Sequence, residues 1–262
     1  MRTLHHFGLL IAMLAGSACD APTDPDTPPS KAVVSLSVSA GTDVVVASDR
    51  DAAHPRLASA GDLIQRTAQD TLVLTAVSVV LRKIELKRQY IPGCPVDGPG
   101  VDGCHEFQAG PFLLRLPVDG ELNTLVTIDV PPGTYDEVEF EIHKPDDDTP
   151  IDQAFLSTYP EFEDVSIRVE GWFNGSWFVF TQDLNERQEV DLLPNLVVDE
   201  SPMETNLTLT LDVSTWFVDS AGGLVDPRSA NKGGENEKLV EDNIEQSIDA
   251  FEDRDLNGWR DR

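Results

Sequence analysis

Basic residues are scarce in this chain, which limits what it can bind. Of 262 residues, 19 are Lys or Arg and 47 are Asp or Glu, giving a formal net charge of −28. Proteins that bind nucleic acid neutralise its phosphates with clustered Lys and Arg, so this composition argues against a nucleic-acid partner. Hydrophobic residues make up 40% of the chain, enough to bury a core, and the length allows one large or two small domains.

Motifs for the common catalytic chemistries are also missing. The sequence contains no G-x-S-x-G, no H-E-x-x-H and no glycine-rich phosphate loop. Beyond the N-terminal His5 and His6, the histidines are His54, His105 and His143, and they lie in separate segments. Nucleophilic, zinc-hydrolytic and nucleotide-dependent activities therefore have no support in the sequence, and we expect a protein that is not an enzyme.

The first 18 residues have the pattern of a secretory signal peptide. Arg2 precedes a short apolar run from Leu4 to Leu14, well below the length of about 20 apolar residues that a membrane span needs. The stretch Ala15–Cys19 resembles the lipobox of bacterial lipoproteins, in which cleavage before the cysteine leaves a thiol that carries diacylglycerol. Gly16 stands where a lipobox usually has an aliphatic residue, and a general signal peptidase could cut the same bond.

A tether follows the cysteine. Residues 20–30 hold four prolines and three aspartates and no large apolar residue. A segment of this composition cannot bury surface and stays extended. We therefore expect residues 19–31 to be a lipidated Cys19 and a disordered acidic tether. They would hold a folded domain at a membrane of the cell envelope, on the periplasmic or outer-membrane side.

The other two cysteines, Cys94 and Cys104, flank a loop rich in Gly and Pro. An even pair that closes such a loop in an exported protein predicts a disulfide, worth about 3 kcal/mol on a chain-entropy estimate. A metal site is the alternative, but it would need more Cys or His ligands than the adjacent His105.

Short strand-like segments bounded by Gly, Pro, Asn and Asp recur from Ala32 onwards. They are 34–38, 44–46, 72–87, 112–118, 125–130, 137–143, 165–182 and 207–213. Residues 49–70 lack periodicity and are expected to form a surface insertion. Many short strands without βαβ alternation predict an all-β fold, an antiparallel β-sandwich over residues 32–218.

The segment 137–143 alternates strictly, so its apolar residues should face inward and its polar residues solvent. The outward residues are Glu137, Glu139, Glu141 and His143. The three glutamates recur about 7 Å apart along one strand face, a distance compatible with the carboxylate pair of a glycosidase. Such pairs normally come from different strands inside a cleft, and a solvated acidic surface that is solubilising or collects cations is the alternative.

Asn174-Gly175, between two strand-like runs, predicts a hairpin with a type I′ turn. The resulting register pairs Trp172 with Trp177 on the face away from the main apolar one. These two rings could bind a sugar, stabilise the hairpin as a cross-strand pair, or seat a C-terminal helix.

The C-terminal region changes period. Apolar residues from Leu239 to Phe251 recur at helical spacing with acids on the other side, and Asn236 fits the N-cap. We expect one amphipathic helix over 236–251. The whole region 219–262 would be a loop, this helix and an acidic tail, packed on the sandwich.

The acidic tail contains the front half of a calcium loop, D-x-D-x-N-G, with Asp253, Asp255 and Asn257 as oxygen ligands. The acidic residue that normally completes such a loop would fall after Arg262. The tail is therefore either a calcium site that borrows ligands from elsewhere or a solvated helix end. No other cofactor is expected.

Three stretches together, 80–86 (VLRKIEL), 130–135 (VPPGTY) and 247–258 (SIDAFEDRDLNG), resemble bacterial lipoproteins of uncharacterised function that carry a β-sandwich domain of unknown function behind a lipobox. The resemblance spans most of residues 32–262. It implies a fold and a location in the cell envelope, and it supplies no catalytic residues.

Together these features favour a non-enzymatic cell-envelope lipoprotein whose β-sandwich binds a partner, such as an envelope protein or a glycan, with the oligomeric state left open. One alternative is a calcium-dependent carbohydrate-binding or adhesion module that uses Trp172 and Trp177 or the acidic tail. The other is a glycan hydrolase that uses the glutamates of 137–143.

Overall fold

A computed structural model describes residues 32–39, 62–89, 106–118, 123–146, 149–198 and 204–252. Within these ranges the chain is mostly β-strand, in sheets whose strands pair antiparallel with one exception, and it has two α-helices. The strands are β1 Ala32–Ser39, β2 Leu63–Arg66, β3 Thr71–Arg88, β4 Glu106–Ala109, β5 Phe112–Leu116, β6 Asn123–Val130, β7 Gly133–Ile142, β8 Ile167–Phe173, β9 Ser176–Gln182, β10 Glu186–Val198, β11 Glu204–Leu211 and β12 Ile248–Glu252. The helices are α1 Pro150–Thr158 and α2 Glu237–Gln246.

Several predicted features lie outside the described residues. They are the signal peptide 1–18, Cys19 and its tether, the strand 44–46, the Cys94 and Cys104 pair, and Asp253, Asp255 and Asn257 of the tail. Among the residues that are described, no helix combines the length and the apolar character needed to span a membrane.

The long strand β3 organises the larger sheet, which has eight strands. Its first half pairs with β8 along one edge and with β2 and β5 along the other, and its second half pairs with β7 and β4. β9 extends the sheet beyond β8, and β10 extends it beyond β7. Apolar residues of β3 are buried on both faces of the strand, with Leu74 in the main core and Val80 in a second, smaller one, whereas Ala76 is exposed.

The smaller sheet has four strands in the order β12-β11-β1-β6, and β1 with β11 is the parallel pair. Leu209 and Leu211 of β11 and Ile248 of β12 belong to the same buried cluster as Leu74 and Phe140 of the larger sheet. One apolar core therefore joins the two sheets.

Helix α1 was not expected from periodicity, because nine residues are too few to display it. Its start is nevertheless marked in the sequence: the side chain of Thr149 accepts a hydrogen bond from the backbone N–H of Asp152, and Pro150 opens the first turn. Phe155 then packs on Val80 and Phe162 in the second core. Through Val80, this small core packs against the middle of β3.

The predicted surface insertion over 49–70 is wrong at its C-terminal end. Strand β2 pairs antiparallel with the start of β3, and Leu63 is fully buried. A tight turn joins the two strands, with the N–H of Thr67 donating to the carbonyl of Asp70. Four residues are too short to show a period, so only the pairing with β3 identifies this strand.

The predicted helix over 236–251 is too long. Helix α2 ends at Gln246, and residues 248–252 instead form β12 along β11. Pairing with the open edge of β11 outweighs the helical pattern and still buries Ile248 and Phe251. Asn236 stands at the N-cap position, but its side chain donates to Ser229 Oγ rather than capping the helix.

The predicted hairpin is confirmed. Trp172 pairs with Trp177, and Asn174 and Gly175 have φ angles of 49° and 76°, as a type I′ turn requires. Asn174 also ties the turn to the neighbouring one, because its side chain accepts from the N–H of Thr71 and donates to Asp70. β8 and β9 pair in the predicted register along their whole length.

Candidate functional site

Charged side chains of β3, β7 and β10 form three cross-strand rows on one face of the larger sheet. The rows are Lys83–Glu141–Arg187, Glu85–Glu139–Glu189 and Lys87–Glu137–Asp191, here termed the carboxylate ladder. The middle row places three carboxylates side by side, which repel one another unless cations neutralise them. The cations come from the rows on either side.

Glu139 lies at the centre of the carboxylate ladder, and its side chain is only 2% exposed. One carboxylate oxygen lies 3.2 Å from both Lys83 Nζ and Arg187 Nε, and the other lies 3.5 Å from Lys87 Nζ. The expectation that the polar face of 137–143 is solvated is therefore wrong at its centre. The long side chains of Lys83, Lys87 and Arg187 surround Glu139 and cover it.

The flanking members of that face are partly buried as well. Glu137 accepts a hydrogen bond from Lys87, and Glu141 lies 3.6 Å from Lys83 Nζ. His143, just beyond the end of β7, lies with Nδ1 within 2.6 Å of the carbonyl of Lys144. Of the four residues predicted to face outward, Glu139 is buried, and Glu137, Glu141 and His143 are partly buried.

The ion pairs shift the pKa values of the ladder in favour of the charged forms. Burial raises the pKa of Glu139, but pairing with Lys83, Arg187 and Lys87 outweighs it and holds the pKa below its ordinary value. The hydrogen bond from Lys87 to Glu137 raises the pKa of Lys87 despite partial burial. Glu139 is consequently ionised at neutral pH and unsuited to act as a general acid.

Three carboxylates of the ladder come close enough together to suggest a metal site. Oxygens of Glu137, Glu139 and Glu189 lie within 4.8 Å of one another. The ammonium of Lys87 already contacts all three, with Nζ hydrogen-bonded to Glu137, 3.5 Å from Glu139 and 3.9 Å from Glu189. A divalent ion would have to displace this charge, so these residues fit a lysine better than a metal.

Trp172 and Trp177 form an edge-to-face pair, with ring centroids 5.2 Å apart and planes at 72°. Trp177 is 44% exposed and Trp172 is partly buried. The edge of one ring meets the face of the other, which is a favoured geometry for an aromatic contact. The pair is separate from α2, whose buried Val240 and Ile244 pack in the main core.

An open cavity of about 440 Å³ lies beside the ladder, where the pairing of β7 is irregular. Lys87 and Arg88 pair with Glu137 and Tyr135, so Asp136 has no opposite residue on β3. On the other edge, regular pairing with β10 stops at Asp191 and resumes at Leu196. The lining residues are Lys87, Arg88, Asp136, Glu137, Asp191, Leu192, Leu193 and Asn195.

Known proteins offer no guide to this surface. No family model, no curated protein and no solved structure matches the chain. Its function must therefore be inferred from its own residues.

The structure brings together some of the residues that the sequence singled out and adds others. It places Trp172 against Trp177 and surrounds Glu139 with cations. The basic partners Lys83, Lys87 and Arg187 were missed, although their alternation with acids along β3 and β10 mirrors that of β7 and could have revealed them. The cavity had no signal in the sequence, because it arises from unequal residue counts in paired strands.

Proposed function

We propose that this protein is a non-enzymatic lipoprotein of the bacterial cell envelope, whose β-sandwich domain binds a ligand or partner while a lipid on Cys19 holds it at the membrane. The carboxylate ladder carries the non-enzymatic part of this proposal. The carboxylates that a hydrolase would need are committed to ion pairs with Lys83, Lys87 and Arg187. The glutamates proposed for a hydrolase, Glu137, Glu139 and Glu141, all come from β7, whereas the acid and base of a glycosidase face each other across a cleft.

Two features support a β-sandwich. The core shared by the two sheets, with Leu209 and Leu211 packed with residues of β3 and β7, is the arrangement that two facing sheets produce. Tyr135, near the start of β7, donates its hydroxyl to the carbonyl of Pro131, four residues earlier. Such a tyrosine corner recurs in Greek-key sandwiches. The domain would span residues 32–218, with 219–262 packed on it.

The membrane anchor is tested by Cys19→Ala. We expect the wild-type chain, expressed with its signal peptide, in the membrane fraction and the variant in the soluble fraction, because one thiol carries the lipid. Replacement of both Cys94 and Cys104 by Ala is the matched control and should leave the partition unchanged. If Cys19→Ala stays with membranes, the lipid anchor is wrong.

A carbohydrate-binding or adhesion module is the second candidate, favoured by the exposure of Trp177. The edge-to-face geometry favours a structural pair instead, since stacking on a sugar needs an open ring face. Glycan-array binding that is lost in Trp177→Ala would establish this candidate. Calcium dependence would be shown by a calorimetric heat that disappears when Asp253 and Asp255 are replaced by Asn.

A further inference from the structure

The cavity beside β7 contains charged side chains of both signs that form no ion pair within the described residues. Arg88 donates from Nε to the hydroxyl of Tyr135 at 3.2 Å, and its guanidinium carbon lies 5.4 Å from the centre of that ring. Arg88 forms no ion pair within the described residues, although three carboxylates line the same cavity. The side chains of Asp136 and Asp191 likewise form no hydrogen bond or ion pair with the described residues, although the backbone of Asp191 pairs with that of Glu137.

The pairing of β7 explains why these charges stay apart. Asp136 has no opposite residue on β3, and a bulge of this kind re-aims the side chain of the extra residue. Tyr135, which is fully buried, fixes Arg88 from below through its ring and hydroxyl. By contrast, Lys87 is neutralised by the carboxylate ladder and is not available to a ligand.

The cavity also has an apolar edge. Leu193 is 83% exposed and lines it together with the buried Leu192. The volume of the cavity, about 440 Å³, lies within the range of small-molecule binding sites. A large exposed leucine beside unpaired polar groups is a combination that a bound ligand would cover.

We infer that this cavity binds a small zwitterion with an apolar side chain, as found in an apolar amino acid or a short peptide. The guanidinium of Arg88 receives the carboxylate, since its planar fork matches that group. Asp136 and Asp191 receive the ammonium, and Leu193 covers the side chain. The inference rests on the proposed binding role and names the ligand class.

The test is calorimetric titration of the full-length lipoprotein in detergent with L-leucine. Leucinamide, which lacks the carboxylate, and N-acetyl-leucine, which lacks the ammonium, should each bind at least about tenfold more weakly, a loss of roughly 1.4 kcal/mol. Glycine should also bind more weakly, because it has no side chain to contact Leu193. A tighter Kd for dileucine than for leucine would identify a peptide as the ligand, and the reverse a free amino acid.

Two substitutions localise the binding. Asp191→Asn, on an exposed stretch of β10, and Arg88→Lys, which keeps the charge but loses the fork, should each raise the Kd for leucine about tenfold. Glu161→Gln removes an exposed carboxylate outside the cavity and should change nothing. A thermal unfolding scan of each variant separates lost binding from lost folding.

Equal binding of leucine and leucinamide would overturn the inference, because an acidic surface alone would then suffice. Absence of leucine and dileucine binding, or unchanged affinity in folded Asp191→Asn and Arg88→Lys, would also overturn it. These outcomes leave the anchor on Cys19 untouched, since fractionation of Cys19→Ala tests that part of the proposed function independently.

Discussion

Gly171 shows how a single residue permits the central strand pairing. It lies buried on β8 opposite Leu74, at the point where the register with β3 shifts between Leu74 and Ala76. A Cβ placed on Gly171 would come within 2.1 Å of the carbonyl oxygen of Val73. Only glycine lets the two backbones approach this closely.

Gly171→Ala should therefore destabilise the protein by about 3 kcal/mol, because the clash is with backbone and cannot be relieved by a side-chain rotation. Urea unfolding followed by tryptophan fluorescence would measure the loss. Gly133→Ala is the control: its nearest neighbour would be the flexible Arg88 Nε at 3.2 Å, so a change within about 1 kcal/mol is expected. Equal losses at both positions would contradict the role given to the backbone contact.

Tyr135 illustrates a second contact that sequence patterns do not reveal. The alternation of β7 places Tyr135 on the outward side with Glu137, but the extra residue Asp136 reverses this, and the ring is fully buried in the core. Its hydroxyl is satisfied by the carbonyl of Pro131 and by Arg88 Nε, and this contact positions Arg88 at the cavity. Burial raises the pKa of Tyr135, although the hydrogen bond and charge of Arg88 act in the opposite direction.

At the scale of elements, the carboxylate ladder holds β3, β7 and β10 together across one face. Removing the central charge by Glu139→Gln should cost about 2 kcal/mol at pH 7. The loss is smaller than the about 3–5 kcal/mol of a fully buried pair, since Lys83 and Arg187 keep Glu85 and Glu141 as partners. Glu189→Gln, in the same row but 57% exposed, should cost less than about 0.5 kcal/mol.

The pH dependence of this difference follows from the shifted pKa values. The pKa of Glu139 lies below the ordinary value of 4.5, so its contribution to stability is present above about pH 4.5 and is lost as the pH falls through the lowered pKa. The pKa values of Lys83 and Lys87 lie above 10.5, so their contributions persist until the pH rises past that point. The stability difference between wild type and Glu139→Gln should accordingly shrink in acid; a difference that grows there would contradict this account.

The elements differ in how far the sequence could predict them. The hairpin of β8 and β9 was predictable to the residue, because Asn174-Gly175 fixes its register locally. The short β2 and the strand β12 were not, because each depends on an edge offered by a distant strand, β3 or β11. For the ladder, the inward and outward faces of β7 were predictable, whereas the cover over Glu139 depends on which strands lie beside β7.

At the scale of the whole molecule, the surplus of 28 negative charges is the dominant electrostatic property. Some acids of the ladder form close ion pairs, whereas the exposed Glu161 and Glu163 on the turn after α1 form none with the described residues. Mutual repulsion among exposed charges opposes the compact state. Salt screens this long-range repulsion, but it screens the short contacts of buried ion pairs much less. The two kinds of charge should therefore respond differently to ionic strength.

Raising NaCl from about 10 mM to about 150 mM shortens the screening length from about 30 Å to about 8 Å and should raise Tm, because long-range repulsion weakens more than the shielded contacts of Glu139. A differential scanning calorimetry series would measure the slope. Glu161→Gln combined with Glu163→Gln should reduce that slope, since it removes two exposed acids. Glu189→Gln provides a single-charge comparison within the ladder. A Tm that falls with salt would mean that exposed ion pairs, rather than repulsion, dominate the stability of the folded chain.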